Sequence, residues 1–521
     1  MIYNFNRGIG WASSGVEYAQ AYRGKVLREA GYSCRFVYTD MFRVDNIALM
    51  TENIGIPDEE VIWLYQYFTD FHVSRPEISV GRFEEKYLPL LLEEKEDLSY
   101  EIKENGDRRE YRSKGQKHMV FAYYAHGDHS VIQKADFFCE KRLLRADYYS
   151  YGRMFSEHFA NKDDGKPALY LRLFYNEDGS VAYEEYIDGD RQMFLFQNGK
   201  ILYSKQELLC EMVRTMPFQK NDVVIVDRTT EIGQPILRNC KEAALVCVIH
   251  AEHYSAASTT EEEILWNNFY EYSFAQTERF AAYVASTKVQ ADVLRKQYLQ
   301  YRGFTPLIAE VPVGNLDQLR YPQQSRRVHA LCTASRLAGE KHLDYLILAA
   351  GLAHQNIPDL TLDIYGKGGL ENDLRKLIQD IHAEDYIHLM GQHDMTEVYQ
   401  NYSGYIAAST SEGFGLSLME AVGSGLPMIG FDVPYGNQTF IVDGENGYLI
   451  PYDREYGRDV SAGVLSEAIE QLFLEADLES FIQKSYEIAA QFLQEHVAQK
   501  WEHLFAQLRV RTENEATGGA R

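Results

Sequence analysis

The sequence is short of cysteine, proline and positive charge. Its 521 residues include 6 cysteines and 13 prolines, and 52 basic residues stand against 77 acidic ones, which gives a net charge of −25. A surface of that charge repels nucleic acid and anionic lipid on average, which argues against a globally cationic binding protein. The cysteines form no CxxC pair, and several lie in apolar runs, as Cys247 does; this favours buried, reduced thiols in a cytosolic protein.

Long hydrophobic runs are absent as well. No apolar stretch reaches the length that spans a membrane, and we expect no signal peptide before the first predicted strand at residues 2–5. The chain is nevertheless 45% hydrophobic and contains 38 tyrosines, so it can bury sizeable cores. Because 521 residues exceed what one core holds, we expect two or three domains.

The first segment is typical of a strand, a glycine loop and a helix. Gly8 and Gly10 lie in the loop, and Ser14 with Glu17 forms the S-x-x-E pattern of a capping box. A second strand at 34–38 completes the start of a βαβ unit. The same α/β pattern resumes with strand-like runs at 222–227, 244–250 and 281–286.

The character of the chain changes between residues 79 and 210. Turn dipeptides recur there, at Asn105-Gly106, Asp164-Gly165, Asp178-Gly179, Asp188-Gly189 and Asn198-Gly199. Such pairs favour tight hairpin turns, and the runs between them alternate aromatic and polar residues, so we predict an inserted antiparallel β-meander. Its aromatic residues form either its own core or a face that binds another protein, and both interpretations stay open.

A second α/β unit begins near residue 323, after a hinge candidate at 311–314. We therefore divide the chain into 1–78 and 211–322 as the two parts of an N-terminal Rossmann-like domain, 79–210 as the insertion, and 323–493 as a C-terminal Rossmann-like domain. Residues 494–521 are predicted as a helix that crosses back to the first domain, with a tail. The stretch from about 479 to 510 is predicted to be amphipathic helix.

The most informative stretch is 411–421, in which Glu412 and Glu420 lie eight positions apart. It follows a strand-like run at 404–409 and opens a short helix. The first N–H groups of a helix lack internal partners and carry positive potential, so this turn forms an anion site bracketed by two carboxylates. The plain alternative is a βα turn with a solvated glutamate at each end.

Two cations follow another predicted strand of the same domain. Arg336 and Lys341 come directly after the run 328–335. Together they can hold a diphosphate, arginine through its planar fork and lysine as a point charge. A solvated loop is the alternative, and it weakens because the Glu412–Glu420 turn lies at a neighbouring strand end.

These motifs resemble the signature of the retaining family-4 glycosyltransferases, with Glu412 and Glu420 as its E-x7-E pattern and Arg336 and Lys341 as its Arg…Lys pair. The segment 436–449 is also similar to the one that follows the E-x7-E helix in that family. The resemblance covers both α/β domains. It implies an α/β fold of the GT-B type, with two Rossmann-like domains, an antiparallel β-meander inserted in the first, and nucleotide-sugar binding by the second.

The same resemblance implies roles for individual residues. Arg336 and Lys341 would stabilise charge on the departing diphosphate. Glu412 would contact hydroxyls of the transferred sugar, and Glu420 would accept from the ribose. His250 would face the donor sugar, with a structural histidine as the alternative. Further donor-binding residues would be Gly15, Gly391, Gly413, Phe414, Gly415, Leu416, Ser417 and Leu418.

The inserted meander narrows the resemblance to the GtfA-type subunits of the accessory secretion system of Gram-positive bacteria. These transfer N-acetylglucosamine from UDP to Ser/Thr of serine-rich repeat adhesins in the cytoplasm, with a catalytically degenerate GtfB-type partner. The resemblance implies that partner for this chain, bound through the meander, and leaves peripheral association with the inner face of the cell membrane open. Because both glutamates and both cations are present, the chain resembles the active member.

We expect no cofactor and no metal. Asp188-Gly189-Asp190 and His126-Gly127-Asp128-His129 have metal-binding side chains, but both read as turns.

Three competing functions stay open. A glycoside hydrolase would use paired carboxylates but leaves Arg336 and Lys341 without a role. A teichoic-acid glycosyltransferase, with a polyol-phosphate acceptor, would also carry a β-sheet insertion. A non-catalytic GT-B-shaped subunit would bind the acceptor or act as a chaperone.

Overall fold

The computed structural model describes residues 1–11, 15–91, 100–113, 117–161 and 166–518. It contains two compact units, Met1–Gly24 with Tyr32–Leu245, and Lys25–Gly31 with Val246–Arg521. The unit boundary does not follow the domain boundaries expected from the sequence, which stay predictions.

The first unit begins with an α/β segment whose strands are buried along their length. Its elements are β1 (Ile2–Asn6), α1 (Gly15–Glu29, whose last residues belong to the second unit), β2 (Cys34–Tyr38), α2 (Ile47–Glu52) and β3 (Val61–Trp63). Helix α1 begins at Gly15, where the capping-box pattern predicts its start, although Ser14 lies outside the described residues. Continuous burial is typical of parallel strands that are covered on both faces.

An antiparallel meander follows in the same unit. Its elements are β4 (Ile78–Ser79), α3 (Val80–Arg82), β5 (Tyr100–Asn105), β6 (Arg108–Ser113), β7 (His118–Ala125), β8 (Asp128–Cys139), β9 (Arg142–Tyr149), β10 (Arg153–Asn161), β11 (Pro167–Tyr175), β12 (Val181–Asp188), β13 (Arg191–Phe196) and β14 (Ile201–Leu202). The strands pair in sequence order from β5 to β14, and β4 pairs with β8. The predicted meander is confirmed; its turn at Asp164-Gly165 lies outside the described residues.

The aromatic residues of the meander form a stacked ladder across its strands. The ring centroids of Tyr148 and Phe155 lie 4.2 Å apart and those of Phe174 and Tyr183 lie 4.4 Å apart. Tyr65, from the segment after β3, stacks on Phe174 at 5.7 Å. These rings are buried, so here the aromatic residues form the core of the sheet.

A buried charged row crosses the same sheet. Arg172 donates to Glu157 at 2.9 Å and to Glu185 at 2.8 Å, and all three side chains are at most 8% exposed. Burial raises the pKa of Glu185, and the Arg172 guanidinium opposes that rise. The arginine therefore holds two buried carboxylates in register on three neighbouring strands, β10, β11 and β12.

The first unit then returns to its parallel strands with α4 (Lys205–Thr215), β15 (Val223–Val226) and α5 (Gly233–Asn239). The strand order is β15-β1-β2-β3, with every pair parallel. Helix α4 begins where the Ser204 hydroxyl accepts from the Glu207 N–H, which caps its first turn.

The second unit opens with three more parallel strands. They and their helices are β16 (Ala244–Ile249, whose first two residues belong to the first unit), α6 (Glu271–Ala275), β17 (Ala282–Ala285), α7 (Lys288–Arg302) and β18 (Ile308–Glu310). Strand β17 pairs with both β16 and β18. Helix α7 ends at Gly303, whose φ of 73° closes the helix in the left-handed conformation.

The remainder of the second unit contains a six-stranded parallel sheet with helices. Its elements are β19 (Ala330–Ala334), α8 (Leu343–Ala353), β20 (Thr361–Tyr365), α9 (Glu371–Asp380), β21 (Ile387–Gly391), β22 (Gly404–Ala407), α10 (Leu416–Gly423), β23 (Met428–Asp432), α11 (Asn437–Phe440), β24 (Gly447–Pro451), α12 (Arg458–Leu474), α13 (Leu478–Ala490) and α14 (Gln494–Gly518). The order β21-β20-β19-β22-β23-β24 is that of a doubly wound nucleotide-binding sheet. Leu346, Ile364, Ile406 and Leu465 lie in its core.

The helical stretch expected over 479–510 is interrupted, because the chain breaks between α13 and α14. There Leu316 donates its N–H to the Phe492 carbonyl at 2.8 Å and accepts from the Gln494 N–H at 2.9 Å. These backbone bonds replace the helical ones. Beyond the break, Lys500 of α14 bonds Glu310 of β18 at 2.7 Å, so the last helix packs on the strands that open the second unit.

Among the residues that the structure describes, no helix combines the length and the apolar character that crossing a bilayer would require.

The buried charged row gives a stability prediction. Arg172→Ala leaves two buried carboxylates without their shared cation, so we expect a loss of about 3–5 kcal/mol in the free energy of unfolding. The control is Arg214→Ala, whose guanidinium is 59% exposed beside Glu211 and should contribute less than about 1 kcal/mol. Urea unfolding measures both, and equal losses would contradict the assigned role of Arg172.

Candidate active site

The candidate site lies where the six-stranded sheet reverses its winding. Strands β19 and β22 pair in parallel although two strands separate them in the chain. The chain leaves their carboxyl ends in opposite directions, which opens the crevice where ligands bind in doubly wound sheets. Lys341 follows β19 and Glu412 follows β22, so both predicted residues reach this crevice.

Lys341 and Glu412 form an ion pair there. The Lys341 Nζ donates to Glu412 Oε2 at 2.6 Å, and the side chains are 17% and 21% exposed. Such partial burial screens the pair less than full exposure would. The structure thus places a cation and a carboxylate, 71 residues apart in the chain, in direct contact.

The main chain of Glu412 is held separately from its side chain. Its carbonyl accepts the N–H groups of Tyr435 at 2.7 Å and Gly436 at 2.8 Å, and its N–H donates to the Pro434 carbonyl at 3.3 Å. Three backbone bonds therefore fix the turn that carries this carboxylate.

Gly413 lies directly against the backbone of His250. A Cβ at position 413 would lie 2.3 Å from the His250 carbonyl oxygen and 3.1 Å from the Ala251 Cα. The N–H groups of His250 and Ala251 both donate to the Tyr270 hydroxyl, at 2.9 and 3.1 Å, so that backbone is itself fixed. The structure therefore brings the backbone of His250 to the Glu412 turn, while the predicted position of its side chain opposite the donor sugar stays a prediction.

Helix α10 begins in the same turn. Gly415 precedes it with a φ of 85°, and in the described part of the chain no side chain caps the first N–H groups. Phe414 and Leu418 are buried, whereas Leu416 and Ser417 are half-buried. Uncapped amides beside Lys341 give this turn the donors and the positive potential that suit a phosphate.

Glu420 lies farther along α10, where its Oε2 accepts from the Tyr399 hydroxyl at 3.2 Å. Burial, and then the Glu420 carboxylate, raise the pKa of Tyr399 well above its usual value. Tyr399 therefore stays a neutral donor that orients this carboxylate.

Three other predicted residues, Arg336, Gly391 and Gly15, do not contact the Lys341–Glu412 pair in any hydrogen bond found among the described residues. Arg336 lies at the carboxyl end of β19, but its guanidinium is 76% exposed and donates to Glu340 at 2.8 Å rather than to Glu412. Gly391 ends β21 with a φ of 74°, and its carbonyl accepts the Gly366 N–H. Gly15 begins α1 in the first unit.

The sequence did not reveal Glu340, His253 or Tyr435. For Glu340, the i, i+4 spacing from Arg336 could have revealed the ion pair between the two side chains. His253 has no such signal: it is fully buried, bonds Gln297 at 2.7 Å and lies 3.1 Å from the hydroxyl of Tyr435, 182 residues away. Burial lowers the pKa of His253 to about 4, which keeps it neutral at physiological pH.

The turn at 126–129 is accounted for by local contacts. His129 stacks on Tyr124 at 4.9 Å, and Asp128 accepts from the Ser130 N–H at 2.8 Å. Within the described ranges, no group of three or more His, Cys, Asp or Glu side chains has metal-binding geometry.

Comparison with known proteins covers the whole chain. Residues 101–198 match the GtfA extended beta-sheet domain, and residues 325–482 match the family Glycosyl transferases group 1. The GtfA subunit of the UDP-N-acetylglucosamine–peptide N-acetylglucosaminyltransferase of Streptococcus agalactiae is 43% identical over 510 residues, which are 98% of this chain and 99% of that protein. The chain belongs to the GtfA family of glycosyltransferases.

Solved structures agree with the GtfA assignment. The pneumococcal O-GlcNAc transferase GtfA, crystallised with UDP and GlcNAc, is 43% identical and superposes with a TM-score of 0.90 over 97% of this chain and 98% of that one. A crystallised GtfA/B complex gives a TM-score of 0.91 at 42% identity, over 98% and 99% of the two chains. The GT-B fold expected from the sequence is confirmed.

Teichoic-acid enzymes are more distant from this chain than these GtfA proteins are. The poly(glycerol-phosphate) alpha-glucosyltransferase of Bacillus subtilis is 24% identical over 77% of this chain and 60% of its own length.

The buried His253 predicts a pH dependence of stability. Its pKa is about 4 in the folded chain against 6.5 when unperturbed, so the unfolded chain binds this proton more readily. The stability that neutral His253 contributes is complete above pH 6.5 and is lost as the pH falls towards 4. Between pH 7 and pH 5 we expect the wild type to lose about 2 kcal/mol more than His253→Asn. Urea unfolding at both pH values measures this, and equal losses would refute it.

Arg336 gives a functional prediction. We expect Arg336→Ala to lower glycosyl transfer on the order of 10²-fold or more, because the family resemblance assigns this cation to stabilising the departing diphosphate. Stability should change by less than about 0.5 kcal/mol, because the side chain is exposed. The matched control is Arg375→Ala, which breaks the similarly exposed i, i+4 pair with Glu371 and should keep full activity. Comparable losses in both variants would contradict the role.

Proposed function

We propose that this chain transfers N-acetylglucosamine from UDP-N-acetylglucosamine to Ser/Thr of a serine-rich repeat adhesin, with retention at the anomeric carbon. It acts in the cytoplasm as the catalytic subunit with a GtfB-type partner. The observation that carries the proposal is the Lys341–Glu412 pair at the uncapped start of α10. Membership of the GtfA family supports the donor and the acceptor class.

The geometry suits departure of a nucleoside diphosphate. Negative charge develops on the diphosphate as the bond to the sugar breaks, and the Lys341 ammonium with the first N–H groups of α10 stabilises it. Arg336 adds a third contribution when its guanidinium leaves Glu340 for a phosphate oxygen. Since the chain supplies this positive charge itself, we expect transfer to continue in the presence of EDTA.

The two glutamates divide the recognition of the donor. Glu412 accepts hydrogen bonds from hydroxyls of the sugar, while Lys341, with which it forms an ion pair, contacts the diphosphate. Glu420, oriented by Tyr399, accepts from the ribose hydroxyls. The uracil base lies near the turn at Gly391. His250 faces the sugar across Gly413, where the 2.3 Å approach leaves no room for a side chain.

The partner is proposed to dock on the meander. The solved GtfA/B complex of a similar chain supports a heteromer. Tyr170 of β11 and Tyr186 of β12 are 45% and 38% exposed, and exposed tyrosines are enriched in protein interfaces. In this proposal a few exposed aromatic residues of the meander form the docking surface, while most of the others are buried in the core of the sheet.

Intact mass spectrometry tests the proposal. A serine-rich repeat polypeptide is incubated with UDP-N-acetylglucosamine, EDTA, and this chain with and without a GtfB-type partner. We expect repeated gains of one N-acetylhexosamine, strongest with the partner present. Glu412→Gln, which keeps the size of the side chain but removes its charge, serves as the inactive control.

Two outcomes would overturn the assignment. Transfer to a polyol-phosphate polymer but not to the polypeptide would identify a teichoic-acid glycosyltransferase. UDP binding without transfer to either acceptor, even with the partner present, would favour a non-catalytic acceptor-binding subunit.

A further inference from the structure

His253 lies deep in the second unit, between two elements that are distant in the chain. Its side chain is fully buried, as is that of Tyr435, which is 1% exposed, while Gln297 of α7 is 8% exposed. The His253 ring stacks on the Tyr435 ring with centroids 5.7 Å apart and planes 22° apart. A polar group buried to this degree is costly unless it is hydrogen-bonded.

Both ring nitrogens of His253 have partners, and the partners define its tautomer. Gln297 Oε1 is an acceptor, so His253 Nε2 carries the proton and donates across 2.7 Å. His253 Nδ1 is then the acceptor for the Tyr435 hydroxyl at 3.1 Å. The result is one directed chain, in which Tyr435 donates to His253 and His253 donates to Gln297.

The backbone of Tyr435 also forms one of the hydrogen bonds that hold the Glu412 turn. Its N–H donates to the Glu412 carbonyl at 2.7 Å, and residues 412 and 435 form a parallel β-bridge. The adjacent residues, Pro434 and Gly436, make the other two bonds to Glu412. A side-chain bond that fixes Tyr435 therefore fixes the segment that holds the main chain of Glu412.

The same segments meet a second time at Gly413. The backbone of His250, three residues before His253, lies against Gly413 at a distance that excludes a Cβ. The segment from His250 to His253 thus reaches the Glu412 turn at two points, by van der Waals contact at Gly413 and through the hydrogen bond between His253 and Tyr435. Displacing His253 or Tyr435 would shift a turn whose carboxylate is already paired with Lys341.

We propose that His253 and Tyr435 are positioning residues for transfer: their hydrogen bond holds the 434–436 segment, which in turn sets the position of Glu412 against the donor sugar. The role assigned to Glu412 rests on the proposed function. Neither His253 nor Tyr435 touches substrate in this account, and their effect passes entirely through the backbone of the Glu412 turn.

Three variants separate the bond from the packing. Tyr435→Phe removes the hydroxyl and keeps the ring and the backbone N–H. His253→Gln keeps a donor towards Gln297 and loses the acceptor at Nδ1. His253→Asn places an amide oxygen near the Nδ1 position and so keeps an acceptor for Tyr435. Each is assayed as the complex with the partner, by transfer kinetics, UDP titration and urea unfolding.

We expect Tyr435→Phe and His253→Gln each to lower kcat by about tenfold, the loss equivalent to one buried hydrogen bond. The Kd for UDP should be unchanged, because Glu412 contacts the sugar. The double variant should be no slower than either single one, since both remove the same bond. His253→Asn should recover most of the turnover.

Wild-type kcat in Tyr435→Phe, or a double variant whose loss is the product of the single losses, would overturn the inference. A purely structural bond would lower the stability of Tyr435→Phe and His253→Gln and leave kcat unchanged, which would also overturn the inference.

A crystal structure of Tyr435→Phe keeps this inference separate from the proposed function. We expect the bonds between residue 412 and residues 434–436 to lengthen. An unchanged Glu412 turn would refute the positioning role whatever the substrate is. A wild-type complex that transfers no N-acetylglucosamine would instead refute the proposed function.

Discussion

The parallel pairing of β19 with β22 is the constraint on which the candidate site depends. Parallel strands direct their carboxyl ends to one edge of a sheet, and the 3-2-1-4-5-6 order makes these two strands neighbours at the point of reversal. Lys341 and Glu412 meet because each follows one of these strands by a short loop. Without that pairing, the charges would lie at separate sheet edges, and the uncapped start of α10 would face no cation.

A second constraint is the close approach of two backbones at Gly413. The contact with His250 requires a residue without a Cβ, and the Tyr270 hydroxyl holds the opposing peptide in place. The Glu412 turn is therefore supported on one side by packing and on the other by the Tyr435 segment. Catalytic carboxylates need this precision, because small displacements from the productive geometry lose much of the rate.

Much of this could be predicted from the sequence, where the signal is local. Glu412 and Lys341 follow strand-like runs, so their place at the sheet edge follows from chain order alone. Turn dipeptides predict the meander for the same reason, since each Asn-Gly or Asp-Gly pair determines its own hairpin.

Contacts between segments that are distant in the chain have no local pattern in the sequence that predicts them. The His253–Tyr435 bond joins residues 182 positions apart, and the break before α14 depends on Leu316, which lies in another part of the chain. Arg336 was located correctly by its strand, but its present partner, Glu340, depends on a side-chain conformation that spacing alone does not decide.

The two cations of the motif are both paired with carboxylates, Lys341 with Glu412 and Arg336 with Glu340. The consequence is kinetic. A diphosphate that approaches a chain of net charge −25 meets two cations that are already paired with carboxylates, so long-range attraction contributes little to the encounter. Association should then be slow for a charged ligand and should speed up as salt screens the overall repulsion. The site begins to distinguish a diphosphate from other ligands only on contact, when phosphate oxygens replace a glutamate as the partner of each cation.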